Sequence, residues 1–265
     1  MFLCFFRFWV EIRIILQIMK TTSSIVNLNL FSSSEVKILA GIPCHNTESS
    51  IANLIDLTKP YVSGIIVVDD GSTDTTAEKA SSKGTMVISH PKNKGYGEAI
   101  KSCFSAAQAI NADVLVTIDG DGQHNPSDIP RVLKPILNKE ADIVIGSRFL
   151  DINNGIPKYR KIGLNLINFL WNINSRIKVT DTQSGYRAYN VHALKDLTIS
   201  NKGMSASIEI LEQARHKQMR IKEVSINCSY ENNNSSLSLK SMRHGINVAF
   251  FTIMVRLQSH DVLSK

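Results

Sequence analysis

From Val36 onward, short apolar runs alternate with stretches of helical spacing, and this alternation limits the fold more than any other feature. Residues 36–42 (VKILAGI) read as a buried strand ended by Pro43, and 49–59 as a helix closed by Pro60. Residues 64–69 (GIIVVD) give a second buried strand, followed by a helix to about Lys83 that Thr73 or Asp74 would cap. A third strand at 85–89 leads through Gly95 and Gly97 into a helix ending near Ile110. Strand 113–118 (DVLVTI), helix 128–137 and strand 141–145 (ADIVI) continue the series. Strands this apolar have no solvent face, so the expectation is a mostly parallel sheet with helices on both sides, an α/β fold. Further on, the spacing predicts helices at 160–177 and 203–217, a strand in 219–230, and a mobile Asn/Ser-rich loop at 231–241. An apolar helix at 245–257 is too short to span a bilayer.

The chain divides into 1–35, an apolar segment with a polar linker; 36–230, the α/β domain; and 231–265, a loop with an apolar helix. Residues 1–19 carry Arg7, Glu11 and Arg13, and a central Arg adds roughly 2.5–3.5 kcal/mol to the cost of spanning a bilayer. The segment reads either as an interfacial helix with Arg7 and Glu11 paired, or as an extension ahead of a start at Met19. No small-residue cleavage site follows it, which argues against a secretory signal. Cys4, Cys44, Cys103 and Cys228 are far apart, with no metal-knuckle pairing, and fit a reducing compartment. Thirty Lys and Arg against 23 Asp and Glu give a net charge of +7, which favours anionic partners: a phosphorylated substrate, an anionic membrane surface or nucleic acid. The chain has no dense basic run of the kind that forms a nucleic-acid arm.

In a parallel sheet, ligands collect at the carboxyl ends of the strands, and the acidic and glycine clusters of this chain fall there. Asp119 and Asp121, two residues apart beyond a strand end, can converge on one hard cation, with Gln123 adding a neutral oxygen. Mg²⁺ or Mn²⁺ suits such ligands and leaves positions open for diphosphate oxygens. A Gly-rich turn capped by Asp is the alternative for 119–123. Residues 69–74 (DDGSTD) place carboxylates within reach of a ribose or base, and also read as a helix cap. Lys94 and Gly95 belong to a generic anion cradle at a helix start, while Arg148 puts a guanidinium near the same edge.

Five stretches come in order: PCHN at 43–46, VVDDGSTD at 67–74, IDGDGQH at 118–124, GSRF at 146–149 and DTQSGYR at 181–187. Together they resemble the family 2 inverting glycosyltransferases of the GT-A fold, and most of all the dolichol-phosphate mannose or glucose synthase-like branch. The resemblance covers about 36–230. It implies that Pro43, His45, Glu48, Asp69 and Asp70 line a nucleoside pocket, with Lys94, Gly95 and Gly120 also against the donor. It implies that Asp119, Asp121 and Gln123 hold a metal, that Arg148 contacts phosphate, and that Asp181, Ser184, Gly185 and Arg187 sit beside the reaction centre, with Ser184 and Arg187 toward the acceptor. Lys240 and Arg243 loosely echo a basic acceptor motif. His45 stands where Tyr is common, and Thr47 where Glu is usual, with Glu48 one place later.

The implied reaction moves a sugar from a GDP- or UDP-sugar to a polyprenyl phosphate or a glycan. It would run peripherally on the cytoplasmic face of a membrane, without nucleic acid. A lipid phosphate oxygen is already anionic near neutral pH, whereas a sugar hydroxyl requires a base, for which Asp181 is the candidate. Two alternatives stand beside this reading. Asp119-x-Asp121-Gly122 also resembles the haloacid dehalogenase phosphohydrolase nucleophile motif, although Gln123 occupies the usual Thr or Ser position. A non-catalytic nucleotide-sugar-binding protein is the other.

Overall fold

The computed structural model describes residues 36–151, 156–230 and 239–263, and the described residues from Lys37 onward belong to one compact unit. The expectations for 1–35 lie outside the described residues. Seven strands form one sheet in the order β3-β2-β1-β4-β6-β5-β7: β1 Ile38–Cys44, β2 Gly64–Asp69, β3 Met86–Ser89, β4 Val114–Thr117, β5 Ile143–Ser147, β6 Arg187–Asn190 and β7 Ile221–Ser225. All neighbouring pairs are parallel except those of β6, which runs antiparallel to both β4 and β5.

The helices are α1 Ile51–Thr58, α2 Thr76–Ser82, α3 Tyr96–Ala109, α4 Ile129–Leu137, α5 Lys158–Asn172, α6 Val191–Asp196, α7 Ala206–His216 and α8 Leu239–Leu263. Alternation along β1 explains the layering. Leu39 points into a core with α3, α6 and α7, around Ile100, Phe104, Leu194 and Ile210. Ala40 and Ile42 point to the other face, against Ile51 and Ile55 of α1 and Val132 and Ile136 of α4. Each such buried Ile or Leu contributes roughly 1.5–3 kcal/mol. A third cluster around Trp171, Ile208 and Val248 joins α5, α7 and α8 to the end of β5.

Several boundaries differ from the sequence reading. Pro43 does not end β1; it pairs with Val68, and because β4 stops pairing at Gly41–Thr117, its missing N–H costs no ladder bond. Helix α5 stops at Asn172, followed by Asn174 with φ 51°. The C-terminal helix runs 25 residues rather than 13, taking in 239–241 of the expected loop; 231–238 lie outside the described residues. Among the described residues no helix is long and apolar enough to cross a membrane. Strand β6 and helix α6 were not expected at all.

Candidate active site

The carboxyl ends of β1, β2, β3, β4 and β5 share one edge of the sheet, and antiparallel β6 adds its amino end there, with Arg187 opposite Thr117 and Ile145. The loops that leave this edge carry every motif residue up to Arg187.

On the β1–β2 side the loops are tied to one another. Asn46 N–H donates to Ser72 Oγ at 2.9 Å, and Asn46 Oδ1 accepts from Thr73 N–H at 2.9 Å. Glu48 accepts from Thr75 Oγ1 at 2.5 Å and lies 3.8 Å from Lys79 Nζ. Pro43 is buried, with its carbonyl accepting from Gly120 N–H at 3.1 Å, while His45 is exposed at the rim. Asp69 Oδ1 accepts from Ser72 N–H at 3.1 Å.

Asp70 departs from the expected nucleoside contact. Its Oδ1 is 2.6 Å from His90 Nδ1 and accepts from Lys94 N–H at 2.9 Å, and Oδ2 accepts from Gly95 N–H at 2.8 Å. Burial opposes its ionisation, but these bonds outweigh burial and hold the carboxyl below its ordinary range. The amides of Lys94 and Gly95, expected to cradle an anion from outside, are therefore spent on an internal one.

The β5–β6 side corrects three further expectations. Arg148 is a buried clamp: its Nε and Nη2 donate to the two oxygens of Asp181, each at 2.7 Å, and its N–H donates to Oδ2 at 3.1 Å. Asp181 is fully buried, so a carboxylate engaged on both oxygens does not serve as a base. Arg187 is also buried, and donates to the carbonyls of Ser184, Thr182 and Ser207 at 2.8, 2.7 and 3.2 Å. Ser184, buried beside it, accepts from Tyr186 N–H at 3.3 Å, so both residues proposed toward the acceptor are buried and bonded within the chain. Lys240 and Arg243 lie in α8, with side chains outside the described set.

Asp119 and Asp121 are different. Asp119 leaves the end of β4, with Oδ1 buried and without a hydrogen-bond partner. Burial, and then the charge of Asp121, push its carboxyl up to about 7 against the opposing fields of Arg148, Arg187 and Arg160. Asp121 is more exposed, and its Oδ1 accepts from Gln123 N–H at 3.0 Å, yet desolvation by the surrounding chain still pushes this second carboxyl up. Gly120 between them is required by closeness, because a Cβ there would sit 2.6 Å from Cys44 Cβ. Gly185 lies directly behind the Asp119 carboxylate.

Two residues join this site that sequence reading did not single out. His124 is buried, its Nδ1 is 3.9 Å from Asp119 Oδ2 without a hydrogen bond, and burial followed by Arg148 drives it down to about 3, hence neutral. Its signal was its place one residue after Gln123 in the quoted run. Arg160, in the first turn of α5, stacks 5.4 Å over the Tyr230 ring and acts electrostatically on both carboxylates; the basic run 158–161 was its signal.

The unpartnered Asp119 oxygen beside a second carboxylate fits a divalent cation. Among the described residues no three His, Cys, Asp or Glu side chains form a complete metal cluster, so substrate oxygens and water would fill the remaining positions. Residues 40–198, more than half of the chain, match the family described as Glycosyl transferase family 2. The chain belongs to that family. It is therefore a glycosyltransferase, and neither the phosphohydrolase nor the non-catalytic alternative is favoured.

Similar family 2 relatives include the UDP-N-acetylglucosamine–dolichyl-phosphate N-acetylglucosaminyltransferase of Methanococcus voltae. It is 34% identical over 82% of this chain and 92% of its own. The undecaprenyl-phosphate mannosyltransferase of Micrococcus luteus is 30% identical over 72% and 83%. In three dimensions the chain is similar to glucosyl-3-phosphoglycerate synthase from Mycobacterium tuberculosis, solved with Mn²⁺, uridine diphosphate and phosphoglyceric acid. The TM-score is 0.67 at 22% identity, covering 83% of this chain and 78% of that one, which establishes the GT-A fold.

Proposed function

We propose that this glycosyltransferase moves a sugar from a nucleoside diphosphate sugar to a polyprenyl phosphate, with inversion at the anomeric carbon and help from Mg²⁺ or Mn²⁺. The observation that carries the reading is the pair Asp119 and Asp121, both pushed above their ordinary range, with one Asp119 oxygen left without a partner. Asp119 and Asp121 would hold the ion, with Gln123 beside them. Bound there, a divalent ion supplies positive charge against the departing diphosphate.

The chain's own residues do the positioning. Gly185 backs Asp119, and Thr117 Oγ1 donates to the Gly185 carbonyl at 2.8 Å, which holds that backing in place. The Arg148–Asp181 clamp joins the β5 loop to the loop before β6. A phosphate acceptor with a second pKa of about 6 needs no base, and this suits a site whose Asp181 is fully engaged. The two polyprenyl-phosphate transferases among the relatives support the acceptor class. The free Cys44, Cys103 and Cys228 support work in a reducing compartment, and the reading places the reaction on the cytoplasmic face of a membrane, without nucleic acid.

The test is a thermal-shift screen of UDP, GDP and their sugars with and without Mn²⁺, coupled to transfer of labelled sugar onto a polyprenyl phosphate. Stabilisation by donor that needs Mn²⁺ and is lost in Asp121→Asn, with label in the organic phase, is expected. Label found only in water-soluble product would overturn the acceptor. Donor binding indifferent to both Mn²⁺ and Asp121→Asn would overturn the metal assignment.

A further inference from the structure

Two neighbouring groups of opposite hydrogen-bonding character stand at the reaction edge without meeting. Among the described residues, neither Asp119 Oδ1 nor His124 Nδ1 has a hydrogen-bond partner, and both atoms are buried. His124 Nδ1 lies 3.9 Å from Asp119 Oδ2. A nitrogen donor bonds an oxygen at about 2.7–3.2 Å, so the two side chains fall short of a bond by roughly 1 Å. Leaving a buried donor and a buried acceptor unpaired is costly, and a fold built only for its own stability would close so small a gap.

The imidazole is held from several sides. Its ring lies tilted against that of Tyr186, with centroids 5.2 Å apart, and the Tyr186 hydroxyl donates to the Asn125 carbonyl at 3.3 Å. The backbone of His124 pairs with Cys228 in an antiparallel bridge. On either side, Ser229 N–H donates to the Gln123 carbonyl at 2.8 Å and Asn227 N–H to Asp128 Oδ2 at 2.7 Å. The stretch after β7 thus straps down the loop that follows Asp121. Asp119 is the member with room to move, because its side chain keeps 29% exposure. Its Cγ lies against Gly185. A turn about the Cβ–Cγ bond, a soft torsion in carboxylates, swings each oxygen by up to about 1 Å and leaves Cγ where it is.

We propose that His124 is a positioning residue for the transfer, its Nδ1–H bonding one oxygen of Asp119 when the other engages the divalent ion. This rests on the metal reading of Asp119 and Asp121, and adds the group that orients the first of them. A carboxylate that gives one oxygen to an ion leaves the other to be satisfied, and a partner there fixes the angle at which the first is presented. The proton sits on Nδ1 in this arrangement, because a carboxylate oxygen accepts and does not donate. Through the bridge at Cys228, the stretch after β7 acts at one remove, holding the ring that holds Asp119.

The test measures Mn²⁺ affinity in the presence of UDP, from the electron paramagnetic resonance signal of free Mn²⁺, with Tm on the same preparations. His124→Phe keeps a ring against Tyr186 but has no donor. His124→Gln puts an amide nitrogen near the Nε2 position, and His124→Asn puts one near Nδ1. The Phe and Gln variants should bind Mn²⁺ about 10- to 100-fold more weakly, and Asn within about threefold of wild type. Tm should not follow that order, because Phe removes a buried unpaired nitrogen and should melt no lower than Asn. A purely structural role predicts instead that Mn²⁺ affinity tracks Tm. In the wild-type chain with diamagnetic Mg²⁺ and UDP, a hydrogen-bonded Nδ1 proton should appear in the imidazole NMR spectrum, assigned by its absence from His124→Asn. Should His124→Phe fail to fold, that resonance decides alone. Wild-type Mn²⁺ affinity in His124→Phe, an Asn variant as weak as Phe, or no such resonance would each overturn the assignment. Mn²⁺ binding lost in Asp121→Asn but untouched in His124→Phe sinks this inference alone, whereas binding indifferent to Asp121→Asn sinks the metal reading beneath it.

Discussion

Gly185→Ala is the most direct probe of whether the position of Asp119 matters. A Cβ built on Gly185 would lie 2.6 Å from Asp119 Cγ, where ordinary contact begins at 3.4 Å, and the two carboxylate oxygens are nearer still. The backbone cannot retreat easily, because the Gly185 carbonyl accepts from Thr117 Oγ1 and the next carbonyl, that of Tyr186, accepts from Gly146 N–H at 2.8 Å. The carboxylate must therefore move, by about 1 Å. A displacement of that size in a catalytic constellation costs about 100-fold, or roughly 2.7 kcal/mol in kcat/KM. Stability should suffer much less: the Asp119 side chain keeps 29% exposure and can turn outward, so a loss near 1 kcal/mol, roughly 2–4 °C in Tm, is expected. The assay is sugar transfer at saturating Mn²⁺, with Tm and Mn²⁺-dependent stabilisation by UDP measured on the same preparation. Gly163→Ala, on the exposed side of α5 with no atom within 4 Å of the added Cβ, serves as control and should stabilise by about 0.5–1 kcal/mol. Wild-type kcat/KM in a folded Gly185→Ala enzyme would refute the role assigned to Asp119.

Arg148→Met should destabilise by about 3–5 kcal/mol in urea unfolding, because it strands the buried Asp181 charge. Adding Asp181→Leu should recover most of that loss, and a double variant as weak as the single one would contradict the account. Asp119→Asn should raise the Tm of the metal-free protein near pH 8, by at least about 2 °C, while abolishing Mn²⁺-dependent stabilisation by UDP; a lower Tm would show that the carboxylate is not a cost to the fold. Asp142, whose first cause of depression is its hydrogen bond with Arg220, is held down to about 2, below its unfolded value of 3.8. Its contribution is present above the unfolded value and is lost as pH falls through about 2. The stability gap between wild type and Asp142→Asn should accordingly shrink below about pH 4, and a gap that widened there would reverse the sign.

The strands that build the sheet were legible because they are buried on both faces: Ile42, Val67 and Val116 have no exposure at all, so their runs read as unbroken apolar sequence. Strand β6 is just as central, yet its four residues are Arg, Ala, Tyr and Asn. Its Arg187 is buried by bonding three carbonyls contributed by residues 182–207, and nothing within four residues of sequence announces such a partner set. Similarly, the apolar spacing of α5 revealed a helix but not that it carries two apolar faces, one against Trp171's cluster and one toward solvent.

At the reaction edge the difficulty was one of partners rather than residue types. Asp70, Arg148, Asp181 and Arg187 all belong to stretches that look chemical, and each proves to be spent. Asp70 is consumed by His90 and two amides, Arg148 and Asp181 by each other, and Arg187 by main-chain carbonyls. Spent groups of this kind fix loops, and a buried carboxylate with all its bonds made is held charged at little cost. Asp119 and Asp121 are the reverse case, because folding brings two carboxylates together and pushes both upward. The same fold satisfies Asp181 with Arg148 and leaves an Asp119 oxygen with no bond. A chain that needed these carboxylates only for its own stability would be better served by Asn at 119, or by turning Arg148 toward it. The deficit makes physical sense if something positively charged arrives with the substrate, and for that reason unsatisfied bonding capacity, more than motif membership, separates the working groups from the scaffold here.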